Sequence, residues 1–100
     1  MKLFKTIDEK FEEIGFKKVR DDNFVVSYER DKTFYSDNVK YGYIHVLDIV
    51  HKKSGNHLIQ SYDKEAIDEK YTGNIGVGLT YYETKLALKK MKQKKWHKKQ

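Results

Sequence analysis

The sequence predicts an α+β domain in which an antiparallel meander of about four strands is flanked by an N-terminal and a C-terminal helix. Apolar residues recur with helical spacing at the start of the chain, later runs alternate with a period of two, and a capped helical segment follows near the end. Short turns between consecutive strands favour antiparallel pairing in the order α-β-β-β-β-α. A chain of 100 residues is predicted to form one domain over its whole length.

The N-terminal helix is predicted over residues 3–14, because its apolar residues recur at spacings of three and four and so share a face. These residues are Leu3, Phe4, Ile7, Phe11 and Ile14. Gly15 follows them and is expected to end the helix, since glycine adopts the left-handed conformation without a steric penalty. Phe16 is then expected to fold back on the last turn.

Four runs with alternating or continuous apolar residues predict strands. They are residues 16–20, 24–30, 43–51 and 57–62. The polar break at residues 21–23 suits a hairpin turn, and residues 31–42 and 63–78 are predicted as loops, the second of which either is irregular throughout or includes a short extended piece near residues 75–79.

The register of the last two strands identifies a candidate polar site. With Ser54 and Gly55 at the centre of the turn, Asp48 lies opposite Ser61. A register shifted by one residue on each side would place Asp48 opposite Asp63, and like charges directly opposed are destabilising. The first register is therefore predicted. Because a carboxylate among apolar strand residues needs a hydrogen-bond partner or solvent, Asp48 and Ser61 are expected to pair.

A second helix is predicted from about residue 81 to about residue 96, because Thr80 and Glu83 have the spacing of a capping box. Its apolar positions are Tyr81, Leu88 and Met91, with Thr84 and Ala87 beside them, while Leu86 and Tyr82 lie on the other side.

The charge distribution is strongly asymmetric. The formal net charge is +6, yet all 15 acidic residues lie at or before Glu83, and eight lysines follow from Lys85 onward. The first 84 residues carry −2 and the last sixteen carry +8. This Lys-rich C-terminal segment either contacts a polyanion, where each lysine releases a counterion from phosphate, or only solvates a helix end.

Within this segment one set of residues is predicted to bind nucleic acid. Lys85, Lys89, Lys92 and Trp96 recur at spacings of four, three and four, so a continuous helix places them on one face. Three ammonium groups could track a phosphate backbone while the indole stacks on a base. Seven of the eight tyrosines could form a stacking platform beside them, or could serve as ordinary core and interface residues.

Histidines on the strands raise the question of a metal or acid–base site. His45 and His51 lie six residues apart, Asp48 points to the opposite face from both, and His57 is expected to pair with Lys52. No two imidazoles are brought together by local structure, whereas zinc needs three or four ligands. We therefore expect no metal, no cofactor and no catalytic residue.

Composition excludes several classes of protein. Without cysteine there is no disulfide, thiolate nucleophile or Cys-ligated zinc, which suits a reducing cytosol. No run approaches the length of a membrane span, and the charged N-terminus lacks a signal-peptide core. We expect a cytoplasmic protein with no membrane partner.

Several segments resemble small phage and mobile-element proteins of Gram-positive bacteria that have no assigned activity. The similar segments are residues 11–16, 28–30, 51–57, 59–62 and 78–83. The resemblance implies a cytoplasmic setting in an infected or lysogenic cell and transfers no site residue.

Together these features predict a non-enzymatic binding module whose basic C-terminal helix contacts nucleic acid or another polyanion, such as an acidic protein surface. The alternative is a protein-interaction module that forms a homodimer through its sheet, since the strand at residues 43–50 is apolar on both faces. A third hypothesis is a small hydrolase or nuclease that uses His and Asp, which lacks a compact acid–base pair in the sequence.

Overall fold

The computed structural model describes residues 4–64 and 75–96 of the chain. In chain order the elements are α1 (Ile7–Glu13), β1 (Lys17–Asp21), β2 (Val25–Asp31), β3 (Phe34–Ser36), β4 (Val39–Tyr41), β5 (Ile44–Val50), β6 (Leu58–Asp63), β7 (Ile75–Gly76) and α2 (Tyr81–Gln93). The predicted α+β class, with an antiparallel sheet between an N-terminal and a C-terminal helix, is confirmed. Leu3, most of the predicted loop at 63–78, and Lys98 and Lys99 lie outside the described residues.

The main sheet is antiparallel, with strands in the order β1-β2-β5-β6-β7. The predicted polar break between β1 and β2 is a turn held by Asp22. One carboxylate oxygen of Asp22 accepts hydrogen bonds from the backbone N–H groups of Phe24 (2.8 Å) and Val25 (2.9 Å). Aspartate favours turns for this reason, since its side chain satisfies backbone donors that the turn leaves unpaired.

The segment predicted as a loop at residues 31–42 contains a second, two-stranded sheet made by β3 and β4, so that prediction was wrong. The connecting residues Asp37 and Asn38 both have positive φ, 51° and 64°, which is the signature of a type I′ hairpin turn. Exposed rings of Phe34 and Tyr41 stack across the hairpin with centroids 5.4 Å apart. The cross-strand aromatic contact and the residues of the turn therefore stabilise the hairpin, although its sequence lacks the alternation of polar and apolar residues that predicts a strand.

The predicted register between β5 and β6 was also wrong, by one residue. Asp48 lies opposite Gln60, and Ser61 lies opposite Leu47. Directly opposed residues share a face, so the observed pairing of Ile49 with Ile59 sends both isoleucines towards the helices. Burial of this face determines the register, because a slip of one residue would turn every β6 side chain to the other side.

Helix α1 begins later than predicted because a capping box starts at Thr6. The Thr6 hydroxyl accepts from the N–H of Glu9, and the Glu9 carboxylate accepts from the N–H of Thr6. Phe4 therefore lies outside the helix and is 86% exposed rather than on its apolar face. The predicted burial of Phe11 is confirmed, since its side chain is 0% exposed.

The end of α1 is as predicted. Gly15 has φ +94°, and the N–H groups of Gly15 and Phe16 donate to the carbonyls of Glu12 and Phe11, both at 3.0 Å. This is a Schellman motif, in which the following residue returns to the helix. Phe16 accordingly packs edge-on against Phe11 with ring centroids 5.7 Å apart. A Cβ at residue 15 would also approach Arg30 Cδ to 3.2 Å, a second reason for glycine there.

Both helices contribute buried side chains to one face of the sheet. The core residues are Phe11, Phe16, Val26, Tyr28, Leu47, Ile49, Leu86, Ala87, Met91 and Trp96. The buried side of α2 differs in part from the prediction: Tyr81 and Leu88 are exposed and Leu86 is buried, whereas Met91 and Ala87 are buried as predicted. The charged residues Glu83 and Lys90 lie on the buried side too, where each has an ionic partner.

Candidate functional site

The outward side of α2 carries three exposed lysines, Lys85, Lys89 and Lys92, which we call the lysine face. Spacings of four and three keep them within a narrow sector, because such residues lie above one another on a helix. At about 1.5 Å per residue, the three span about 10 Å along the axis. One strand of a duplex carries one phosphate for about every 3.4 Å of the duplex axis, so an axial length of about 10 Å contains about three phosphates of one strand. The lysine face is therefore long enough to contact more than one phosphate.

Two other lysines of the Lys-rich segment point inward and hold the helix in place. Lys90 Nζ lies 3.1 Å from Asp8, and Lys94 Nζ lies 2.9 Å from Asp21. Lys18 bridges the same two carboxylates at 2.8 and 3.0 Å. The charged network thus joins α1, β1 and α2 and neutralises the acidic groups beneath the helix.

The ionic network lowers the pKa of the carboxylates of Asp8 and Asp21, as expected for carboxylates that are paired with cations. Burial would raise the pKa of Asp8, but hydrogen bonds from Lys18, Tyr28 and Lys90 outweigh it and lower the pKa to about 2. The Lys94 hydrogen bond likewise lowers the pKa of Asp21. Within the described residues, no carboxylate forms an ion pair with Lys85, Lys89 or Lys92. The positive charge of the lysine face is therefore uncompensated locally.

Trp96 does not join the lysine face, so this part of the prediction was wrong. Helix α2 ends at Gln93, and Lys95 adopts a left-handed conformation with φ 63°. The N–H of Trp96 then donates to the carbonyl of Met91 at 2.8 Å, which completes a Schellman motif. The turn sends the indole into the core, where it is 7% exposed. A continuous helix would have kept Trp96 in line with the lysines.

Tyr81 is the aromatic residue that the structure places beside the lysine face. It is 80% exposed and precedes Lys85 by one turn, with Lys85 Nζ 5.4 Å from its ring centroid. The predicted platform of seven tyrosines does not assemble as a unit. Tyr28 is buried, with its hydroxyl 2.6 Å from Asp8, and Tyr71 lies outside the described residues. Tyr81 therefore takes the stacking position that the sequence interpretation assigned to Trp96.

The histidines are arranged differently from the prediction. His51 and His57 stack with ring centroids 4.6 Å apart, although the sequence interpretation kept them separate. Trp96 lies 5.1 Å from His51 in the same aromatic cluster. Desolvation, followed by the proximity of His51, lowers the pKa of His57. In the described part of the chain, no three His, Asp or Glu side chains form a group that could hold a metal ion.

His45 and Ser61 form a hydrogen-bonded pair in which the histidine is the donor, whereas nucleophilic catalysis requires the serine hydroxyl to donate to the histidine. Arg30, which can only donate, lies 3.0 Å from His45 Nδ1, so Nδ1 accepts. The proton of the neutral imidazole is therefore on Nε2, which donates to the Ser61 hydroxyl at 2.6 Å. Burial, reinforced by Arg30, lowers the pKa of His45 and keeps it neutral. Because Nε2 already carries its proton, it cannot take one from Ser61.

Arg30 is a structural residue that sequence reasoning missed. Its guanidinium donates to Glu83 at 2.6 Å and to the carbonyl of Ile14 at 3.1 Å, and it lies over the Phe16 ring at 4.2 Å. One side chain thus joins β2 to the end of α1 and the start of α2. The available signal was its position in β2, where alternation from Tyr28 places residue 30 on the core side.

Asp48 has different hydrogen-bond partners from the predicted one. Its carboxylate accepts from the Ser27 hydroxyl at 2.5 Å and from the Tyr62 hydroxyl at 2.8 Å. Ser61 instead pairs with His45 on the opposite face of the sheet, as the observed register requires. Asp48 therefore belongs to a polar cluster on the face that neither described helix covers.

Comparisons with known proteins find no match. No protein-family model matches the chain, and no curated protein or solved structure is significantly similar to it. Neither of the two described helices is long and apolar enough to cross a bilayer. Inference about function therefore depends on the chemistry of the residues themselves.

Proposed function

We propose that the protein is a non-enzymatic, phage-type binding module of the cytoplasm whose lysine face contacts the phosphate groups of nucleic acid. The observation that carries this proposal is that the described lysines of the Lys-rich C-terminal segment fall into two groups, one paired with carboxylates and one exposed. Lys90 and Lys94 are paired with carboxylates that stabilise the fold, whereas Lys85, Lys89 and Lys92 are exposed without such partners in the described residues. Their loss would therefore leave the packing intact.

The expected binding is weak and does not depend on base sequence. Each lysine that reaches a phosphate releases a counterion, and contacts of this kind alone give dissociation constants of about 10⁻⁴–10⁻⁶ M at physiological salt. Tyr81 adds a base-stacking surface at one end of the lysine face, which favours a single strand over a duplex. Other polyanions, such as an acidic protein surface, would compete for the same lysines.

A non-enzymatic role is supported by the state of the pair formed by His45 and Ser61. His45 donates to Ser61 and cannot act as its general base in this tautomer. The pair is better explained as part of the hydrogen-bonded core with Arg30 and Glu83.

The test is fluorescence anisotropy with a labelled single-stranded oligonucleotide. In the test variant, glutamine replaces Lys85, Lys89 and Lys92, which preserves helix propensity. In the matched control, glutamine replaces three other exposed lysines, Lys17, Lys52 and Lys53. We expect the test variant to lose most of its binding and the control to lose little. Equal binding by both variants, or no binding by the parent protein, would refute the proposal.

Self-association through the sheet is a second candidate, favoured by a row of aliphatic side chains. Val25, Val50 and Leu58 lie side by side on β2, β5 and β6, on the face away from the helices. All three are only half-buried. Such a patch is typical of a protein interface. We expect light scattering to give a dimer mass for the parent protein and a monomer mass for Val50→Lys. Val39→Lys, in the hairpin, is the control and should remain a dimer. A monomer mass of the parent protein at high concentration would exclude self-association.

A further inference from the structure

The polar cluster on the face of the sheet that neither described helix covers contains a negative charge with a defined orientation. Ser27, which is buried, donates to one oxygen of Asp48, and Tyr62 donates to the other. Desolvation, assisted by the hydrogen bond to Asp48, raises the pKa of Tyr62 to about 12. Tyr62 therefore stays a neutral donor near neutral pH. Two neutral hydroxyls fix the carboxylate of Asp48 but leave its charge in place.

No cation of the described residues neutralises Asp48. The ammonium of Lys64, at the end of β6, binds Glu29 at 3.1 Å instead. This contrasts with Asp8, Asp21 and Glu83, each of which has an ionic partner. A partly buried carboxylate without a counter-charge carries a desolvation cost that a cationic partner would offset.

Asp48 also lines a cavity that is open to solvent. The cavity has a volume of about 480 Å³, and its lining is formed by Asp48, Gln60, Ser61, Tyr62 and Gly76. Gly76 forms one wall of the cavity and has no side chain. The space beside it is open, because a Cβ at this position would meet only the carbonyl oxygen of Ser61, at 4.0 Å. The volume is that of a small-ligand pocket, and the described residues that line it carry one negative charge and no positive one.

We propose that this cavity binds an organic cation, a primary ammonium or guanidinium group, through the carboxylate of Asp48. The carboxylate accepts the N–H groups, as in charge-assisted hydrogen bonds generally. Gln60, which lies directly opposite Asp48, supplies an amide that can accept from a further N–H. The ring of Tyr62 adds an aromatic wall. The net positive charge of the protein does not prevent this, since its whole excess belongs to the Lys-rich C-terminal segment, the first 84 residues carry −2, and charges beyond about 10 Å are screened at ordinary ionic strength.

The experiment is an amide-detected NMR titration of the whole chain with L-argininamide, followed at the backbone N–H groups of Gln60 and Gly76. Nα-acetyl-L-citrullinamide, which has nearly the same shape but carries neither an ammonium nor a guanidinium charge, is the ligand control. Asp48→Asn removes the charge with little change of shape, and Asp37→Asn makes the same change in the exposed hairpin turn. A capped Gly-Arg-Gly peptide distinguishes the sources of the cation: tighter binding of the peptide indicates a protein side chain, and tighter binding of L-argininamide indicates a free small molecule.

We expect L-argininamide to give saturable shifts with a millimolar dissociation constant, at least tenfold weaker in Asp48→Asn and unchanged in Asp37→Asn. If Asp48→Asn does not fold, Gly76→Leu fills the cavity wall while leaving the carboxylate in place, and it should block the shifts. Equal binding of Nα-acetyl-L-citrullinamide, undiminished binding by Asp48→Asn or Gly76→Leu, or shifts that do not saturate would each overturn the proposal.

Discussion

Phe11 is the residue whose loss should affect the fold most directly. Its side chain is completely buried, stacks on Tyr28 with centroids 4.1 Å apart, and meets Phe16 edge-on. Replacing a buried phenylalanine by alanine costs about 3–5 kcal/mol, and the two aromatic contacts favour the upper part of that range. Domains of this size have a total stability of about 5–15 kcal/mol, so Phe11→Ala should remove a large share of it.

Thermal unfolding measures this effect. A loss of 1 kcal/mol lowers the melting temperature of such a domain by about 4–8 °C, so Phe11→Ala should melt at least about 12 °C below the parent protein. Phe4→Ala is the matched control, since the same side chain is removed from an exposed position next to the helix. We expect the control to change stability by no more than about 0.5 kcal/mol. Similar melting of the parent and Phe11→Ala, or equal losses in the two variants, would refute the packing described for α1.

Three further predictions concern the ends of the helices and their charges. The low pKa of Asp8, about 2 against an ordinary value of 3.8, implies stability that is present above pH 4 and lost as the pH falls towards 2; urea midpoints should show a steeper acid loss in the parent than in Asp8→Asn. Trp96 should show blue-shifted fluorescence, little acrylamide quenching and no change on oligonucleotide binding, whereas the spectrum of an exposed indole would contradict its burial. Lys95→Gly should stabilise the protein by about 1 kcal/mol in thermal unfolding because it relieves a left-handed φ, while Lys95→Ala should give no gain.

Features encoded by short stretches of sequence could be predicted. The capping box from Thr80 to Glu83 and the left-handed Gly15 depend on residues within one or two turns. The start of α1 had the same signal in Thr6 and Glu9, and the hairpin turn had one in Asp37 and Asn38. The sequence therefore contained a signal for both features. The apolar spacing from residue 3 onward led to too early a predicted start for α1, and the polar composition of residues 31–42 led to the prediction of a loop in place of the hairpin.

Features that depend on distant partners could not be predicted in this way. The buried side of α2 includes Glu83 because Arg30, 53 residues earlier in the chain, neutralises it. The spacing of apolar residues does not assign a charged residue such as Glu83 to the buried side. The buried side of α2 was therefore predicted partly in the wrong direction around the helix axis. The true partners of Asp48 are also set by long-range pairing, since Ser27 lies on β2 and becomes a neighbour only when β2 pairs with β5.

The candidate nucleic-acid interface was predictable only in part. The three lysines share a sector of α2 because of their spacing alone. Whether a lysine is free to bind phosphate depends on acidic residues that pack beneath the helix, and Asp8 and Asp21 were not assigned to that place. Trp96 does not join the lysine face because the helix ends before residue 96, and Tyr81 is exposed because the opposite side of α2 is buried.

The salt dependence of oligonucleotide binding tests the central claim most directly. If three lysines each neutralise one phosphate of a single strand, the logarithm of the binding constant should fall with the logarithm of the salt concentration with a slope of about −2. Replacing Lys85, Lys89 and Lys92 with glutamine should flatten this slope towards zero. Replacing Lys17, Lys52 and Lys53 should leave it unchanged. A parent slope near zero, or the same slope in both triple variants, would contradict the assignment of phosphate binding to the lysine face.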